Sequence, residues 1–145
     1  MRLWHKDLID VLPRRQLVSQ WRECCGIARN IAVDGSPNHI LVNRISDYPF
    51  EDFLAYAKLV YLEMRHRGYK CNFYDFAKWF SEPKLMEMDF LEAKVVDPID
   101  IFRGWHTKRY LWQCYSNLEE KYDCGGIPEE EWILIEERMR KVVGV

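Results

Sequence analysis

A helical periodicity from Pro13 to Val33 is the feature that most constrains how this chain can fold. Apolar side chains recur there at spacings of four and three residues, which places them on one face of an α-helix. These positions are Leu17, Trp21, Cys24, Ala28 and Ile31. Pro13 suits the first turn, where the N–H that proline lacks would be unpaired in any residue. The stretch therefore predicts a long helix that packs one side against a core.

The opposite side of this helix is basic. The same spacing places there Arg15, Ser19, Arg22, Gly26 and Arg29. Guanidinium groups match phosphate oxygens in a bidentate way, and the small residues between them allow a bulky partner to come close. Glu23 lies on the flank of this basic face. A structural ion pair with a neighbouring arginine is the ordinary interpretation of such a glutamate, and a catalytic carboxylate is the alternative.

The rest of the chain is also predicted to be mainly helical. The predicted elements are a short helical or turn-like lead-in at 3–12, a helix from Pro49 to Arg67, a short aromatic helix at 72–80, a helix from Trp105 to Tyr122 and a terminal helix from Glu129 to Val142. Residues 34–38 form a turn signal, 39–45 are a connector for which extended backbone is one option, and 82–100 receive no firm assignment. Strand-type alternation is almost absent. We therefore expect an all-α fold, with residues 1–145 forming a single compact domain of three to four main helices, short connecting helices and loops.

The composition excludes several classes of protein. No run of 18 apolar residues occurs, so no transmembrane helix is expected, and the first ten residues are too charged for a signal peptide. The five cysteines include no CxxC pair and the four histidines are scattered, which argues against a disulfide framework or a metal centre. We expect a cytoplasmic protein with free thiols, associated with the nucleoid if the source is bacterial, with no metal and no cofactor.

Charge is distributed unevenly although the formal net charge is only −2. Residues 1–33 carry six basic and three acidic side chains, and 103–115 carry three basic side chains and no acid. Residues 116–137 carry eight acids and one lysine. Such a chain can present a local positive surface with an acidic back, although each charged run is also compatible with an ordinary solvated helix face. Common catalytic signatures, namely GxSxG, the P-loop, GxGxxG and HExxH, are missing.

Two stretches resemble one enzyme family. Met1-Arg2, followed by QLVSQWREC at 16–24, resembles the start of the phage pyrimidine dimer DNA glycosylase/AP lyase family, in which a leading arginine precedes a helix with an aromatic-Arg-Glu triplet. The triplet here is Trp21-Arg22-Glu23. The segment YPFEDFLAYAKLVYLEMRHRGYK at 48–70 resembles the central helix of that family. The likeness covers roughly residues 1–70, and the order and spacing of the motifs carry it.

The resemblance implies a mechanism and its residues. The α-amine of residue 1 would attack the anomeric carbon of a deoxyribose, expel the base and form an imine, and Glu23 would assist the elimination that cuts the strand. An α-amine has a reference pKa of about 7.7–8.0 against about 10.4 for lysine, so far more of it is neutral at pH 7. Because Arg2 is too bulky for usual methionine removal, we expect Met1 to be retained and to supply the amine. The expected partner is lesion-bearing double-stranded DNA, bound by a monomer and without a membrane.

The sequence also departs from the family pattern. Gln16 stands where the phage enzyme has a histidine, and Gly26 falls near the next arginine of the family, so Arg15 or Arg29 would have to replace it. The aromatic and basic tail of the phage protein is missing, and the segment 105–112 with Lys108 and Arg109 is its candidate replacement, a core helix with a charged edge being the alternative. The DNA-binding residues expected are Arg2, Arg15, Arg22, Arg29, Lys108 and Arg109.

Two further functions remain open at this point. The chain could keep AP lyase activity or lesion binding without excising dimers. It could instead be a helical protein-interaction module that uses its surface tyrosines and tryptophans. Binding to phosphates weakens strongly with salt, whereas an apolar protein interface responds little, so the salt dependence of binding separates these classes.

Overall fold

The computed structural model describes residues 1–80 and 96–144. Within these ranges the chain forms five α-helices joined by turns and short 3-10 helices, and no strand. The α-helices are α1 (Arg14–Asp34), α2 (Phe50–His66), α3 (Tyr74–Ala77), α4 (Lys108–Asp123) and α5 (Glu129–Val143), and the 3-10 helices are Lys6–Val11, Asn43–Asp47 and Pro98–Asp100. The predicted all-α fold is confirmed.

Helix α1 follows the predicted pattern closely. Its backbone starts at Arg14, one residue after Pro13, and ends at Gly35, whose φ of 76° gives the left-handed conformation that stops a helix. Four of the five predicted apolar positions are fully buried, and the fifth, Ile31, is partly buried. The stripe packs on α2 and α3, where the Trp21 ring lies 6.3 Å from that of Phe76.

Three predicted boundaries or conformations were wrong. The 39–45 connector is not extended, because Val42 and Ile45 are both buried and their i,i+3 spacing suits the 3-10 helix that starts at Asn43. Helix α4 starts at Lys108 rather than Trp105, since the Thr107 hydroxyl accepts a hydrogen bond from the Tyr110 N–H at 3.3 Å and caps the helix there. The aromatic helix predicted at 72–80 is only the single turn α3.

Most of the segment that received no assignment lies outside the described residues. Residues 81–95 belong to this part of the chain, and the 3-10 helix Pro98–Asp100 follows it. The terminal helix α5 matches its predicted range to within one residue.

Long-range polar contacts tie the end of the chain to its beginning. The Asp52 carboxylate on α2 accepts a hydrogen bond from the buried Phe102 N–H at 3.0 Å. The Arg138 guanidinium on α5 binds both carboxylate oxygens of Asp10, at 2.5 and 2.8 Å. The second half of the chain is therefore held by polar contacts to α2 and to the 3-10 helix Lys6–Val11.

Candidate active site

The three residues of the triplet Trp21-Arg22-Glu23 lie in different environments, namely the core, the surface and the boundary between the two. The Trp21 ring is buried against Tyr61 and Phe73, at 5.5 and 6.3 Å between ring centroids. Arg22 is exposed, and Glu23 is partly buried. This follows from the rotation of about 100° between successive helical residues. The buried arc of α1 extends from Trp21 to Ile27, and Glu23 borders the Ile27 side of it whereas Arg22 lies well outside it.

Glu23 contacts the backbone at the start of the chain. Its Oε2 accepts hydrogen bonds from the Arg2 N–H at 3.4 Å and from the Gln20 side-chain amide at 3.2 Å. Standard backbone dimensions keep the nitrogens of adjacent residues within about 3.7 Å of each other, so the Met1 α-amine lies no more than about 7 Å from Glu23 Oε2. Met1 itself is 44% exposed. The first amine of the chain thus belongs to an exposed residue and lies within about 7 Å of a carboxylate oxygen.

Gln20 connects the chain start to helix α1. Its side chain is fully buried, and its Nε2 donates to the Arg2 carbonyl at 3.0 Å as well as to Glu23. Its Oε1 accepts the Trp4 N–H at 2.7 Å. The Tyr56 hydroxyl on α2 lies 2.5 Å from the Trp4 carbonyl and 2.9 Å from Gln20 Oε1. A buried polar group satisfied in this way fixes its neighbours, so the backbone of residues 2–4 is held next to Glu23.

Gln20 was not predicted, although the sequence contains a signal for it. It stands three residues after Leu17 and four before Cys24, which places a polar side chain inside the buried arc of α1. A buried amide needs hydrogen-bond partners, and here they come from the chain start.

The Arg2 side chain lies between the chain start and helix α4. Its guanidinium carbon is 5.5 Å from the centroid of the Trp4 ring, and the group lies close enough to the Tyr110 hydroxyl and the Cys114 thiol for its charge to oppose the rise that burial causes in their pKa values. Lys121 lies further along the same side of α4, and its Nζ is 5.9 Å from the centroid of the same Trp4 ring. Two cations therefore lie near one aromatic ring at the start of the chain, and each is a group that can bind a phosphate.

Lys121 was also missed from the sequence. It is the one lysine in the otherwise acidic segment 116–137. Because the net charge of that segment is negative, the sequence pattern offered no reason to expect a phosphate-binding residue there. Position along the helix explains its orientation, because Tyr110, Cys114 and Lys121 follow the 4-and-7 spacing of one helix face.

The basic face of α1 is open to solvent. Arg15, Arg22 and Arg29 are all exposed, and a Cβ added at Gly26 would meet no heavy atom within 4 Å. Arg22 lines a cavity of about 340 Å³ together with Lys70, and Arg15 lines one of about 360 Å³ beside Gly125 and Gly126. Arg29 sits 5.9 Å from the centroid of the Trp79 ring. The arginines thus form a row along the side of α1 that adjoins Glu23.

Lys108 and Arg109 lie elsewhere. Both are exposed in the first turn of α4, whereas the next residue, Tyr110, points to the chain start. Consecutive helical residues diverge by about 100°, so these two cations are turned away from Arg2. Trp105 and His106 are buried before the helix begins, so in this fold neither ring is presented to a nucleobase.

The thiols near the site are held in the protonated form. Burial raises the pKa of Cys24 well above its usual value and raises that of Cys25 to about 12. Burial also raises the pKa of Cys114. Since the thiolate is the nucleophilic form, these cysteines do not compete with an amine for a sugar carbon.

Comparison with models of known protein families identifies the family of this chain. The sequence model of the pyrimidine dimer DNA glycosylase family matches residues 1–75, which is just over half of the chain and contains α1, α2 and the whole Gln20–Glu23 arrangement. The chain belongs to the pyrimidine dimer DNA glycosylase family. No curated protein and no solved structure matches it.

Membership of the pyrimidine dimer DNA glycosylase family makes DNA the class of substrate. Within residues 1–80 and 96–144, His, Cys, Asp and Glu side chains form no group of three that could hold a metal ion. No helix of the described ranges is both long and apolar enough to cross a membrane. Tyr110, Cys114 and Lys121 stand outside the matched segment, so this glycosylase family member completes the surroundings of Arg2 with residues of its own C-terminal half.

Proposed function

We propose that this protein is a pyrimidine dimer DNA glycosylase with AP lyase activity, in which the Met1 α-amine is the nucleophile and Glu23 the acid/base. The contact between the Arg2 N–H and Glu23 Oε2 carries the proposal, because it brings the first amine of the chain within reach of a single carboxylate. Family membership supplies the substrate class.

The reaction starts from the neutral amine. Its lone pair forms a bond to C1′ of the damaged nucleotide while the bond between C1′ and the base breaks, and the base leaves with the electron pair. The Glu23 carboxylate takes a proton from the alkylated nitrogen and passes it to the ring oxygen O4′. The C1′–O4′ bond breaks as the nitrogen lone pair forms the C1′=N bond, which opens the sugar and leaves a protonated imine between Met1 and C1′. Glu23, now a carboxylate, removes a proton from C2′, and the 3′ phosphate departs by β-elimination. Water releases the amine by hydrolysis of the imine.

The cations hold the DNA backbone during these steps. Arg2 and Lys121, which both lie near the Trp4 ring, bind the phosphates that flank the lesion, while Arg15, Arg22 and Arg29 extend the contact along α1. Lys108 and Arg109 contact DNA only if it bends around the start of α4. Dimerised pyrimidines stack poorly, so bending and base flipping cost less at the lesion than in intact duplex.

Gln20 has a supporting role in this mechanism. Its amide holds Oε2 of Glu23 and the Arg2 carbonyl at the same time. The hydrogen bonds that Glu23 receives from described residues both end on Oε2, which leaves Oε1 available to a bound sugar. The carboxylate is thereby oriented before DNA binds.

Borohydride trapping tests the proposal. Two duplexes are used, one with a single thymine dimer and one with an abasic site, and the trapped adduct is digested to find the residue that carries the sugar. We expect adducts on both duplexes at the Met1 amine, and none after selective acylation of that amine. Lys58 is the lysine to check, because burial lowers its pKa and favours its neutral form.

Glu23→Gln and Glu137→Gln separate the carboxylate from general loss of charge. Glu137 is exposed on α5, so its variant should trap and cleave like wild type. Glu23→Gln should bind DNA but lose strand cleavage by about 10²–10⁴-fold, the usual effect of removing an acid/base group. Adducts on the abasic duplex alone would leave an AP lyase without dimer excision, and the absence of any adduct would rule out the imine mechanism.

A further inference from the structure

Tyr110 joins the C-terminal half of the chain to its first residues. Its hydroxyl donates a hydrogen bond to the Leu3 carbonyl at 2.5 Å, across 107 positions of sequence, and it lies close enough to the Arg2 side chain for the guanidinium charge to oppose the rise that burial causes in the pKa of Tyr110. Tyr110 lies on α4, outside the segment that matches the family. The family assignment therefore gives this tyrosine no role.

The Tyr110 ring is fixed by its neighbours. Its centroid lies 4.9 Å from that of His106 and 5.8 Å from that of Trp105, and the His5 ring is 6.1 Å away. Aromatic packing of this kind restricts both torsions of the side chain. The hydroxyl is consequently a rigid donor, and burial raises the pKa of Tyr110 so that the O–H proton is retained at neutral pH.

The hydrogen bond of Tyr110 completes a set along the chain start. Gln20 holds the Arg2 carbonyl and the Trp4 N–H, and Tyr56 holds the Trp4 carbonyl. The Leu3 carbonyl lies between these groups, on the side that faces α4. A segment that is hydrogen-bonded at successive peptide groups has little conformational freedom. This matters because a misplacement of 1 Å at a reacting group can lower a rate by about 10²-fold.

We propose that Tyr110 is a positioning residue for the reaction, holding Leu3 and Arg2 so that the Met1 amine stays next to Glu23. This inference rests on the proposed function. It adds to the site a residue from the C-terminal half that acts through the backbone, without touching the sugar.

Tyr110→Phe tests the inference, with Tyr115→Phe as the matched control. Both changes remove one hydroxyl from α4 and keep the ring, but Tyr115 packs on Trp132 of α5. The rate of imine trapping is measured on an abasic duplex at saturating protein, and the dissociation constant is measured separately. We expect Tyr110→Phe to trap at least about tenfold more slowly, with affinity changed by less than about threefold because the Arg2 charge remains. A variant that merely folds less well would not show this split between rate and affinity.

A second measurement needs no DNA. The rate at which an aminopeptidase removes Met1, followed by mass spectrometry, reports how often the chain start detaches. Loss of one hydrogen bond should increase this rate by about fivefold in Tyr110→Phe and leave it unchanged in Tyr115→Phe. Equal removal rates in Tyr110→Phe and wild type, or equal trapping rates, overturn the inference. Failure of the wild type to form any adduct refutes the proposed function, and the removal rate then still decides whether Tyr110 holds the chain start.

Discussion

The Lys121 ammonium and the Arg2 guanidinium lie over the same indole ring, 5.9 and 5.5 Å from the centroid of Trp4. One cation comes from the first residues and the other from the far end of α4. Neither forms an ion pair with a carboxylate of the described residues. Each cation is therefore available to an anion, and under the proposed function that anion is a DNA phosphate.

Lys121→Gln should therefore weaken DNA binding through loss of one phosphate contact. The logarithm of the binding constant should depend less steeply on the logarithm of salt concentration, by about 0.9 in slope. Fluorescence anisotropy between low and moderate salt measures this quantity. Lys141→Gln, at the exposed end of α5, is the control, and an identical slope for the two variants would contradict the contact.

Gln20→Met should destabilise the protein. The change removes partners from the Arg2 carbonyl and the Trp4 N–H, and each unsatisfied buried group costs about 1–3 kcal/mol. We expect the free energy of unfolding to fall by about 2–4 kcal/mol, as measured by urea denaturation. Gln113→Met, at an exposed position on α4, should have little effect, so an equal loss in both variants would show that the Gln20 hydrogen bonds contribute no more than a surface residue.

The stability of the fold should decrease in mild acid because of His106. Burial holds the pKa of His106 well below its usual value, and the nearby His5 and Lys6 act in the same direction. The native imidazole stays neutral, whereas in the unfolded chain it takes up a proton below about pH 6.5. The unfolded state then binds more protons, so the free energy of unfolding falls between pH 7 and pH 5, by at most about 1.4 kcal/mol per pH unit for this residue.

His106→Asn provides the test of this pH dependence. The Asn amide oxygen can replace Nδ1 as the acceptor of the Lys6 N–H, which lies 3.0 Å away in the native protein. The variant should lose part of the pH dependence, while His66→Asn, exposed in the last turn of α2, should keep all of it. His5, whose pKa is also lowered by burial, accounts for the remainder.

Gly26→Leu should separate stability from DNA binding. Glycine inside a helix is less favourable than other residues by about 0.5–1 kcal/mol, and a side chain at Gly26 meets open space. The variant should therefore be more stable in thermal denaturation. If the DNA backbone approaches α1 at this point, the same variant should bind an abasic duplex less tightly, whereas Ala32→Leu on the exposed end of α1 should bind normally. Unchanged affinity of Gly26→Leu would show that DNA does not pass this close to α1.

The local sequence pattern was sufficient to predict the main helices and part of the candidate site. The 4-3-4-3 spacing around Trp21 is enough to orient Arg22 and Glu23, because every residue of a regular helix is placed by its neighbours. Single-domain organisation, monomeric state, the roles of Met1 and Glu23 and the DNA contacts of Arg2, Arg15, Arg22, Arg29, Lys108 and Arg109 stay predictions.

The remaining parts of the site depend on contacts between distant residues. Tyr110 reaches Leu3 over 107 positions, and no local pattern reports such a pairing. Trp105 and His106 were predicted inside a helix, yet Phe102 and Gly104, with φ of 53° and 86°, turn the chain so that both rings are buried before α4 begins. Left-handed backbone at a phenylalanine is set by tertiary packing, so the sequence pattern contains no sign of it.

The hydrogen bonds on residues 2–4 have a consequence for how the protein can be produced. They hold residues 2–4 in fixed positions next to α1. The number of residues before Trp4 therefore determines which residue carries the free α-amine and where that amine lies. Removal of Met1 would turn the Arg2 nitrogen, 3.4 Å from Glu23, into a charged amine paired with the carboxylate. An affinity tag or an acetyl group at the N-terminus would replace the amine by an amide. Under the proposed mechanism, the translation start and N-terminal processing decide which amine reacts, so purification tags should be placed at the C-terminus when that mechanism is tested.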